Sequence, residues 1–223
     1  MKKEEILKLL ESKIHYPVSM EVSGSYAMFA RPDTGSEKTS YPTPTFSAAK
    51  GIFESILYMP SAIVIPVKVQ ICSPIRYESY AFNYRGELRK SNLIKEDNTC
   101  QIKTTVLMNP CYRIFAEVIN NDEYELPEIH KKYKKVNHAH SYQVQFNRRL
   151  LKGKNYRRPC LGLSEYLVSY VGKFRDETKV QENINFTMSS MLLCCFDSLN
   201  KGEYSPSSIQ NVEIINGELY YVK

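Results

Sequence analysis

The chain contains 223 residues, of which 43% are hydrophobic and 24% charged, a composition typical of a globular protein rather than a disordered or fibrous one. Thirty Lys and Arg residues against 24 Asp and Glu residues give a net charge of +6. The whole excess lies in residues 129–164, which hold ten Lys or Arg, three of the four His and no acidic residue. Because a solvated surface normally mixes charges of both signs, this run indicates a polyanionic partner such as nucleic acid.

Several other classes of protein are excluded. Met1–Lys13 alternates Lys and Glu and lacks the apolar core of a secretory signal. No stretch approaches the roughly 20 apolar residues of a membrane span, so we expect no membrane contact. The six Cys residues have no metal-binding spacing, which predicts reduced thiols in a cytoplasmic protein that has no metal and no cofactor.

Apolar residues recur at the spacing of helices or strands along most of the chain. Residues 1–15 are predicted to form an amphipathic helix with Ile6, Leu9, Leu10 and Ile14 on one side. The next predicted elements are a strand at Val18–Phe29 with a bend at Gly24, a helix at Ser47–Tyr58 capped by Thr45 or Ser47 and stopped by Pro60, a strand at Ile63–Cys72 and an irregular strand at Pro74–Tyr84. Then follow strands at Gln101–Met108 and Tyr112–Ile119, a helix at His138–Lys152 and a strand at Leu161–Val171.

The order β-α-β-β-β-α-β predicts an α+β protein, a ferredoxin-like sandwich with a β-hairpin insertion. The strands on either side of Asn109-Pro110 are predicted to pair antiparallel, and Glu87–Asn98 is either a flexible connection or the tip of a long hairpin. We divide the chain into an N-terminal helix at residues 1–15, a ferredoxin-like domain at 16–171 and a small β-rich C-terminal extension at 172–223. Apolar segments at Met188–Phe196 and Val212–Val222 predict the extension.

Aromatic residues interleave with the basic ones in residues 129–164, namely Tyr133, Tyr142, Phe146 and Tyr156. The whole chain has 17 Tyr and no Trp. Side chains of this kind stack on unpaired bases, so the pattern favours single-stranded RNA over duplex DNA.

The same run offers acid and base groups. His138, His140 and Tyr142 could cleave RNA without a metal, one group removing a proton from a 2′-hydroxyl and another protonating the leaving oxygen. The alternative is a pair of surface His residues in a basic loop, because residues two apart do not share a helix face. Motifs for nucleotide or serine hydrolysis are lacking, and the scattered carboxylates, Glu54 among them, are interpreted as structural.

Two segments carry a specific resemblance to a known family. The first begins with Gly24-Ser-Tyr-Ala-Met-Phe-Ala-Arg-Pro32 and continues through residues 37–56, which include Tyr-Pro-Thr-Pro-Thr and Gly-Ile-Phe-Glu-Ser-Ile. The second comprises Phe146-Asn-Arg-Arg149, Gly153 and Arg158-Pro-Cys-Leu-Gly162. Together with Pro74-Ile75-Arg76, they make residues 18–170 resemble the Cas-five family of CRISPR interference complexes, in the d-type branch of subtype I-C.

The resemblance implies the RAMP form of the ferredoxin-like, RRM-like fold, in a subunit that binds the 5′ repeat-derived handle of the CRISPR RNA. The implied partners are that RNA, the backbone (Cas-seven) and large (Cas-eight) subunits of a type I complex, and target DNA through the complex. The predicted RNA-binding residues are Arg31, Lys50, Arg76, Lys131, Lys132, Lys134, Lys135, Arg148, Arg149, Lys152, Arg157 and Arg158.

The d-type branch also cuts precursor CRISPR RNA without a metal, using a Tyr at the end of the first helix and a Lys-His pair before the second. Here the Tyr position falls on Leu57, next to Tyr58, and the Lys-His pair falls on Ser141-Tyr142, near His140. With a short alignment gap around Asn137, His140 itself takes the His position. One interpretation is therefore an endoribonuclease with His140, Tyr58 and Tyr142 as catalytic residues. Another is a non-catalytic subunit that caps the handle while a separate ribonuclease processes the precursor. A third is an RNA-binding protein of this architecture outside CRISPR systems.

Overall fold

The computed structural model describes residues 3–84, 100–125, 127–128, 136–197 and 202–222. The helices are α1 (Lys3–Ser12), α2 (Phe46–Ile56) and α3 (His138–Leu151), with a short 3-10 helix at Pro32–Thr34. The strands are β1 (Tyr16–Ser23), β2 (Tyr26–Ala27), β3 (Lys38–Thr39), β4 (Ala62–Ile71), β5 (Tyr77–Tyr84), β6 (Cys100–Met108), β7 (Cys111–Asn120), β8 (Tyr170–Gly172), β9 (Phe186–Asp197), β10 (Glu203–Ile215) and β11 (Glu218–Tyr220). The predicted connection or hairpin tip at Glu87–Asn98 lies outside the described residues.

The larger sheet has the strand order β8-β1-β7-β4-β11-β10-β9, and neighbouring strands are antiparallel. Helix α2 connects β1 to β4 and α3 connects β7 to β8, so these elements form a ferredoxin-like β-α-β-β-α-β unit. The predicted α+β, ferredoxin-like fold class is confirmed. The C-terminal strands β11, β10 and β9 continue the same sheet beyond β4.

Helices α2 and α3 each begin at a capping side chain and bury one apolar stripe. The Thr45 hydroxyl accepts a hydrogen bond from the Ala48 amide at 3.2 Å, and the Asn137 side chain accepts one from the His140 amide at 3.0 Å. The buried stripes, at helical spacing, are Phe46, Ala49, Ile52, Phe53 and Ile56 on α2 and Ala139, Tyr142, Phe146 and Leu150 on α3. Both stripes belong to one hydrophobic core with the large sheet.

Helix α1 packs on the rest of the protein. Ile6 is fully buried, and Leu9 and Leu10 pack against the main core. The amphipathic pattern of Ile6, Leu9 and Leu10 thus reflects intramolecular packing, whereas Ile14, predicted on the same side, follows the helix and is 76% exposed. Among the described residues, no helix has the length and apolar character that crossing a membrane requires.

The predicted pairing of the strands around Asn109-Pro110 is wrong. Strand β6 pairs with β5, β2 and β3 in a second, smaller sheet, whereas β7 pairs with β1 and β4 in the larger one. Asn109 has a positive φ of 45°, and its amide donates to the Ser25 carbonyl at 2.8 Å, while the Gly24 amide donates to the Pro110 carbonyl at 3.2 Å. These hydrogen bonds join the two corners at which the chain passes from one sheet to the other.

The predicted strand at Leu161–Val171 is also longer than the observed β8, which has three residues. Gly162 has a φ of +95°, where side chains are strained, and a Cβ atom at this position would lie 1.8 Å from the Met28 carbonyl oxygen. The Leu161 amide donates to the Tyr166 carbonyl at 2.7 Å, which closes a local loop. The apolar alternation in this segment therefore belongs to a loop that packs beside β2.

Glu21 on β1 is fully buried and lies at the centre of a polar network. Its carboxylate accepts hydrogen bonds from the Arg175 Nε and the Thr178 hydroxyl, both at 2.6 Å, and from the Arg113 Nε at 3.4 Å. Burial alone would raise the pKa of Glu21, but the hydrogen bonds from Thr178 and Arg175 outweigh it and hold this pKa below its usual value. The network ties the segment after β8 to the central strands.

We expect Glu21→Ala to lower the free energy of unfolding by about 3 kcal/mol, because it leaves two partly buried arginines without their counter-charge. Asp122→Ala is the control: that side chain is 71% exposed in its pair with Lys13, and we expect a loss within about 1 kcal/mol. Urea denaturation monitored by circular dichroism measures both. Equal losses in the two variants would contradict a structural role for the network.

The stabilising contribution of Glu21 should also depend on pH. Because the pKa of Glu21 is lower in the folded protein than in the unfolded chain, the contribution is complete above the unfolded value and is lost as pH falls through the folded value. The difference in stability between the wild type and Glu21→Gln should therefore shrink in acid. A difference that grows as pH falls would mean that the pKa is raised.

Candidate nucleic-acid interface

A cleft of about 510 Å³ opens between α2 and the loop that follows α3. Its floor is the exposed side of α2, where Ser47, Gly51 and Glu54 recur at helical spacing. Tyr58, just after the helix, lies at one end, and Tyr156, Arg157 and Arg158 supply the facing wall. The cleft thus combines aromatic and basic side chains.

The carbonyl oxygens at the end of α2 hold this wall in place. The Ser55 carbonyl accepts hydrogen bonds from the amides of Tyr156 at 2.7 Å and Arg157 at 2.9 Å. The next carbonyl, that of Ile56, accepts one from the Arg149 Nε at 2.8 Å. The last carbonyls of a helix have no partner within it and carry partial negative charge, so amides and a guanidinium group suit this position.

Tyr58 and Tyr156 form an exposed aromatic pair in the cleft. Their ring centroids are 6.2 Å apart with an angle of 26° between the planes, and the two residues are 51% and 58% exposed. The Arg157 guanidinium lies 5.6 Å from the centre of the Tyr156 ring. Flat, solvent-accessible rings beside a cation are the usual platform for an unpaired base.

Glu54 is the carboxylate of the cleft. Burial raises the pKa of Glu54, and the positive charges of Lys50 and Arg157 act in the opposite direction. The Lys50 ammonium lies 3.8 Å from a carboxylate oxygen of Glu54. Three of the predicted RNA-binding residues therefore lie near this carboxylate: Lys50 is beside it on α2, and Arg157 and Arg158 line the same cleft.

The structure disperses the other predicted RNA-binding residues. Arg148 and Lys152 are exposed at the end of α3, and Arg149 uses its Nε to anchor that helix to α2. Arg31 pairs with Asp33 at 2.6 Å, beside the smaller sheet. Arg76 is exposed next to β5, also at the smaller sheet. The remaining four, Lys131, Lys132, Lys134 and Lys135, lie outside the described residues.

The three predicted catalytic side chains do not lie together. Tyr142 is buried in the core, and its hydroxyl donates to the Leu57 carbonyl at 2.8 Å. Burial raises the pKa of Tyr142 far above its usual value, so this hydroxyl is a poor acid or base and the residue is structural. His140 is exposed on the opposite side of α3, where its ring lies 5.3 Å from that of Tyr16. Only Tyr58 lines the cleft.

The sequence interpretation missed Glu54 and Gly51 as parts of the site. Both lie on the predicted helix, three residues apart, and Tyr58 follows Glu54 by four, so all three share one side of the helix or its extension. That spacing was the available signal, but it cannot show which side of the helix faces a cleft.

Among the described residues, no group of three His, Cys, Asp or Glu side chains is placed to hold a metal ion.

Fold and cleft together define an α+β protein of the ferredoxin-like class with a cleft lined by basic and aromatic side chains. The sequence pattern of the family described as CRISPR-associated protein (Cas_Cas5), in its Cas5d form, matches residues 18–168. The chain therefore belongs to the Cas5d family, which confirms the resemblance described above.

Two curated relatives carry the name CRISPR pre-crRNA endoribonuclease Cas5d. The one from Mannheimia succiniciproducens is 30% identical over 164 residues, a match covering 67% of this chain and 69% of the relative. The one from Thermus thermophilus is 29% identical over 153 residues, covering 67% of this chain and 61% of the relative.

Two solved structures share the fold. A crystal structure of a CRISPR-associated protein aligns with a TM-score of 0.68 at 19% identity, covering 95% of this chain and 94% of that chain. A functionally uncharacterized protein from Streptococcus mutans aligns with the same TM-score at 16% identity, covering 95% of both chains. At these identities the likeness concerns the fold alone.

We expect Tyr142→Phe to lower the free energy of unfolding by about 1 kcal/mol, because it leaves the buried Leu57 carbonyl without its donor. RNA binding and any RNA cleavage should be unchanged, since the hydroxyl is enclosed in the core. Urea denaturation and a cleavage assay on the same preparation test both parts. A large loss of cleavage with unchanged stability would return Tyr142 to the catalytic residues.

Proposed function

We propose that this protein binds the repeat RNA of a CRISPR transcript in the cleft beside α2, holds the 5′ repeat-derived handle and cuts the precursor RNA without a metal. The observation that carries the proposal is the exposed Tyr58–Tyr156 pair beside Arg157 and Arg158, in a member of a family whose curated relatives are named pre-crRNA endoribonucleases.

The cleft suits single-stranded RNA for two reasons. Exposed aromatic rings stack on bases that are not paired in a duplex. Arginines beside the rings contact phosphates, which fix the register of the strand while the bases are read. A cleft with both features recognises a single strand better than a uniformly basic surface does.

Metal-independent cleavage needs a group to remove the 2′-hydroxyl proton, a second to protonate the leaving oxygen, and a cation to stabilise the phosphorane. Two tyrosine hydroxyls lie at the cleft, those of Tyr58 and Tyr156, and in our proposal Tyr58 is the first acid-base group while Arg157 or Arg158 supplies the cation. His140 is the second acid-base group in our proposal. His140 lies on the side of α3 opposite Tyr142, whose hydroxyl contacts Leu57 beside Tyr58. An RNA strand that reaches both His140 and Tyr58 must therefore cross the first turn of α3.

A second function, capping of the handle without cleavage, is favoured by a specific observation. The positions that resemble the family's Tyr and Lys-His residues hold Leu57 and Ser141-Tyr142, and the Tyr142 hydroxyl is already bonded to the Leu57 carbonyl. Neither position offers a group that titrates near neutral pH. In that case a separate ribonuclease processes the precursor.

The partners in our proposal are the CRISPR RNA, the backbone (Cas-seven) and large (Cas-eight) subunits of a type I complex, and target DNA through that complex. The location in our proposal is the cytoplasm, where CRISPR transcripts are made. Support comes from membership of the family.

We expect the purified protein to cut a labelled precursor RNA with two repeats at one position in each repeat, in the presence of EDTA. Tyr58→Phe keeps the ring and removes the hydroxyl, so it should slow cleavage by about 100-fold with little change in RNA binding. His140→Ala should also slow cleavage, whereas Tyr204→Phe, at an exposed tyrosine on β10, should not. Denaturing gels measure the rates.

Each outcome of the cleavage assay separates the two functions. Tight binding with intact RNA would support the capping subunit and contradict cleavage. Full cleavage by Tyr58→Phe or His140→Ala would remove that residue from the mechanism.

We expect the double variant Arg157→Glu/Arg158→Glu to bind repeat RNA at least about tenfold more weakly and to reduce the slope of log K against log salt by about 1.4, the value for two phosphate contacts with a single strand. Lys8→Glu/Lys179→Glu changes the net charge equally at two exposed lysines elsewhere and should bind normally. Fluorescence anisotropy at several salt concentrations measures both. Equal losses in the two double variants would indicate non-specific attraction instead of a cleft.

A further inference from the structure

Gly51 lies in the middle of α2, on the floor of the cleft, where the fold supplies no reason for a glycine. A Cβ atom at this position would have no neighbour within 4 Å, and the backbone is helical with no positive φ. A glycine inside a helix makes the helix less stable than an alanine at the same position does. Close approach of a ligand to the backbone is the other common reason for a glycine, and here the side chain would project into the cleft.

Glu54 lies three residues further along the same floor. Its side chain is 34% exposed, and burial raises the pKa of its carboxyl against the opposing charges of Lys50 and Arg157. An ionised carboxylate only accepts hydrogen bonds, and a partly desolvated one gains from donors that a ligand brings. The Lys50 ammonium at 3.8 Å supplies a donor beside the carboxylate. The floor therefore presents the two acceptor oxygens of Glu54, and the cationic Lys50 lies beside them at a neighbouring pocket that Gly51 and Glu54 also line.

Building on the proposed RNA binding, we propose that Gly51, Glu54 and the Tyr58–Tyr156 pair form a base pocket selective for an unpaired guanine. The ring stacks on the tyrosines and lies across Gly51. Its N1–H and its N2 amino group donate to the two carboxylate oxygens of Glu54, while Lys50 donates to O6. Arg157 and Arg158 hold the adjoining phosphates.

The other bases fit this arrangement less well. On the corresponding edge, adenine and cytosine each place one amino group beside an acceptor atom, and uracil places one N–H between two carbonyl oxygens. Each of them would set an acceptor against the carboxylate and leave part of it unpaired. Discrimination therefore comes from a mismatch with the wrong bases as well as from contacts with guanine.

The test uses the full chain and four labelled hexauridine RNAs in which one central position is G, A, C or U. In fluorescence anisotropy we expect the wild type to bind the guanine RNA about tenfold more tightly than the other three. Glu54→Gln, whose amide offers one acceptor and one donor, should bring the four affinities within about twofold of each other. Gly51→Leu, which fills the floor, should weaken the guanine RNA most.

Glu117→Gln is the matched control. Glu117 lies on β7 and pairs with His15 at 2.9 Å, and this variant should keep the wild-type preference. Thermal unfolding checks that each variant is folded. If a variant is not folded, the affinities of the wild type for the four hexamers decide the proposal.

The outcomes distinguish the base pocket from the proposed function. If the wild type binds repeat RNA but shows equal affinity for the four hexamers, or prefers another base, the guanine pocket is wrong and RNA binding stands. If the wild type binds neither the hexamers nor repeat RNA, the proposed function fails with it. Retention of the guanine preference by Glu54→Gln would also overturn the role of Glu54.

Discussion

Three consecutive carbonyl groups at the end of α2 fix the geometry on which the candidate site depends. The Ser55 oxygen accepts the amides of Tyr156 and Arg157, the Ile56 oxygen accepts the Arg149 guanidinium, and the Leu57 oxygen accepts the Tyr142 hydroxyl. Helix-terminal carbonyls need partners from outside the helix, and α3 and the loop after it supply the partners of these three. These four hydrogen bonds therefore connect α2 with α3 and hold the wall of the cleft next to α2.

The hydrogen bonds between α2 and α3 divide the basic and aromatic residues into two groups with different roles. Arg149 and Tyr142 have their polar groups engaged between the helices, so they contribute to stability. Tyr58, Arg157 and Arg158 are held at the rim with their side chains exposed. Arg149 and Tyr142 thus differ in role from Arg157 and Arg158, although all four belong to the same basic and aromatic run, because the side chains of the last two face solvent.

The proposal of RNA as the ligand draws on both membership of the Cas5d family and the chemistry of the cleft, but these two lines of support differ on catalysis. The family relatives are named endoribonucleases, whereas this chain has Leu57 and Tyr142 at the positions that resemble the family's Tyr and His residues. A hydroxyl buried between two helices cannot exchange protons with a substrate. If the chain cuts RNA, the acid-base groups must come from exposed side chains such as Tyr58 and His140, which lie on different sides of α3.

The sequence by itself determined the element order, the two capped helices, the basic run and the family, because hydrophobic spacing, caps and short motifs are local properties. It also named Tyr58, Lys50, Arg157 and Arg158, which the structure brings to the cleft or beside it. Only the tertiary structure decided that β6 and β7 belong to different sheets, that Leu161 lies in a loop, and that Tyr142 is buried while Glu54 lines the cleft. Those outcomes depend on contacts between segments far apart in the chain, and no local pattern records which side of a helix its partner covers.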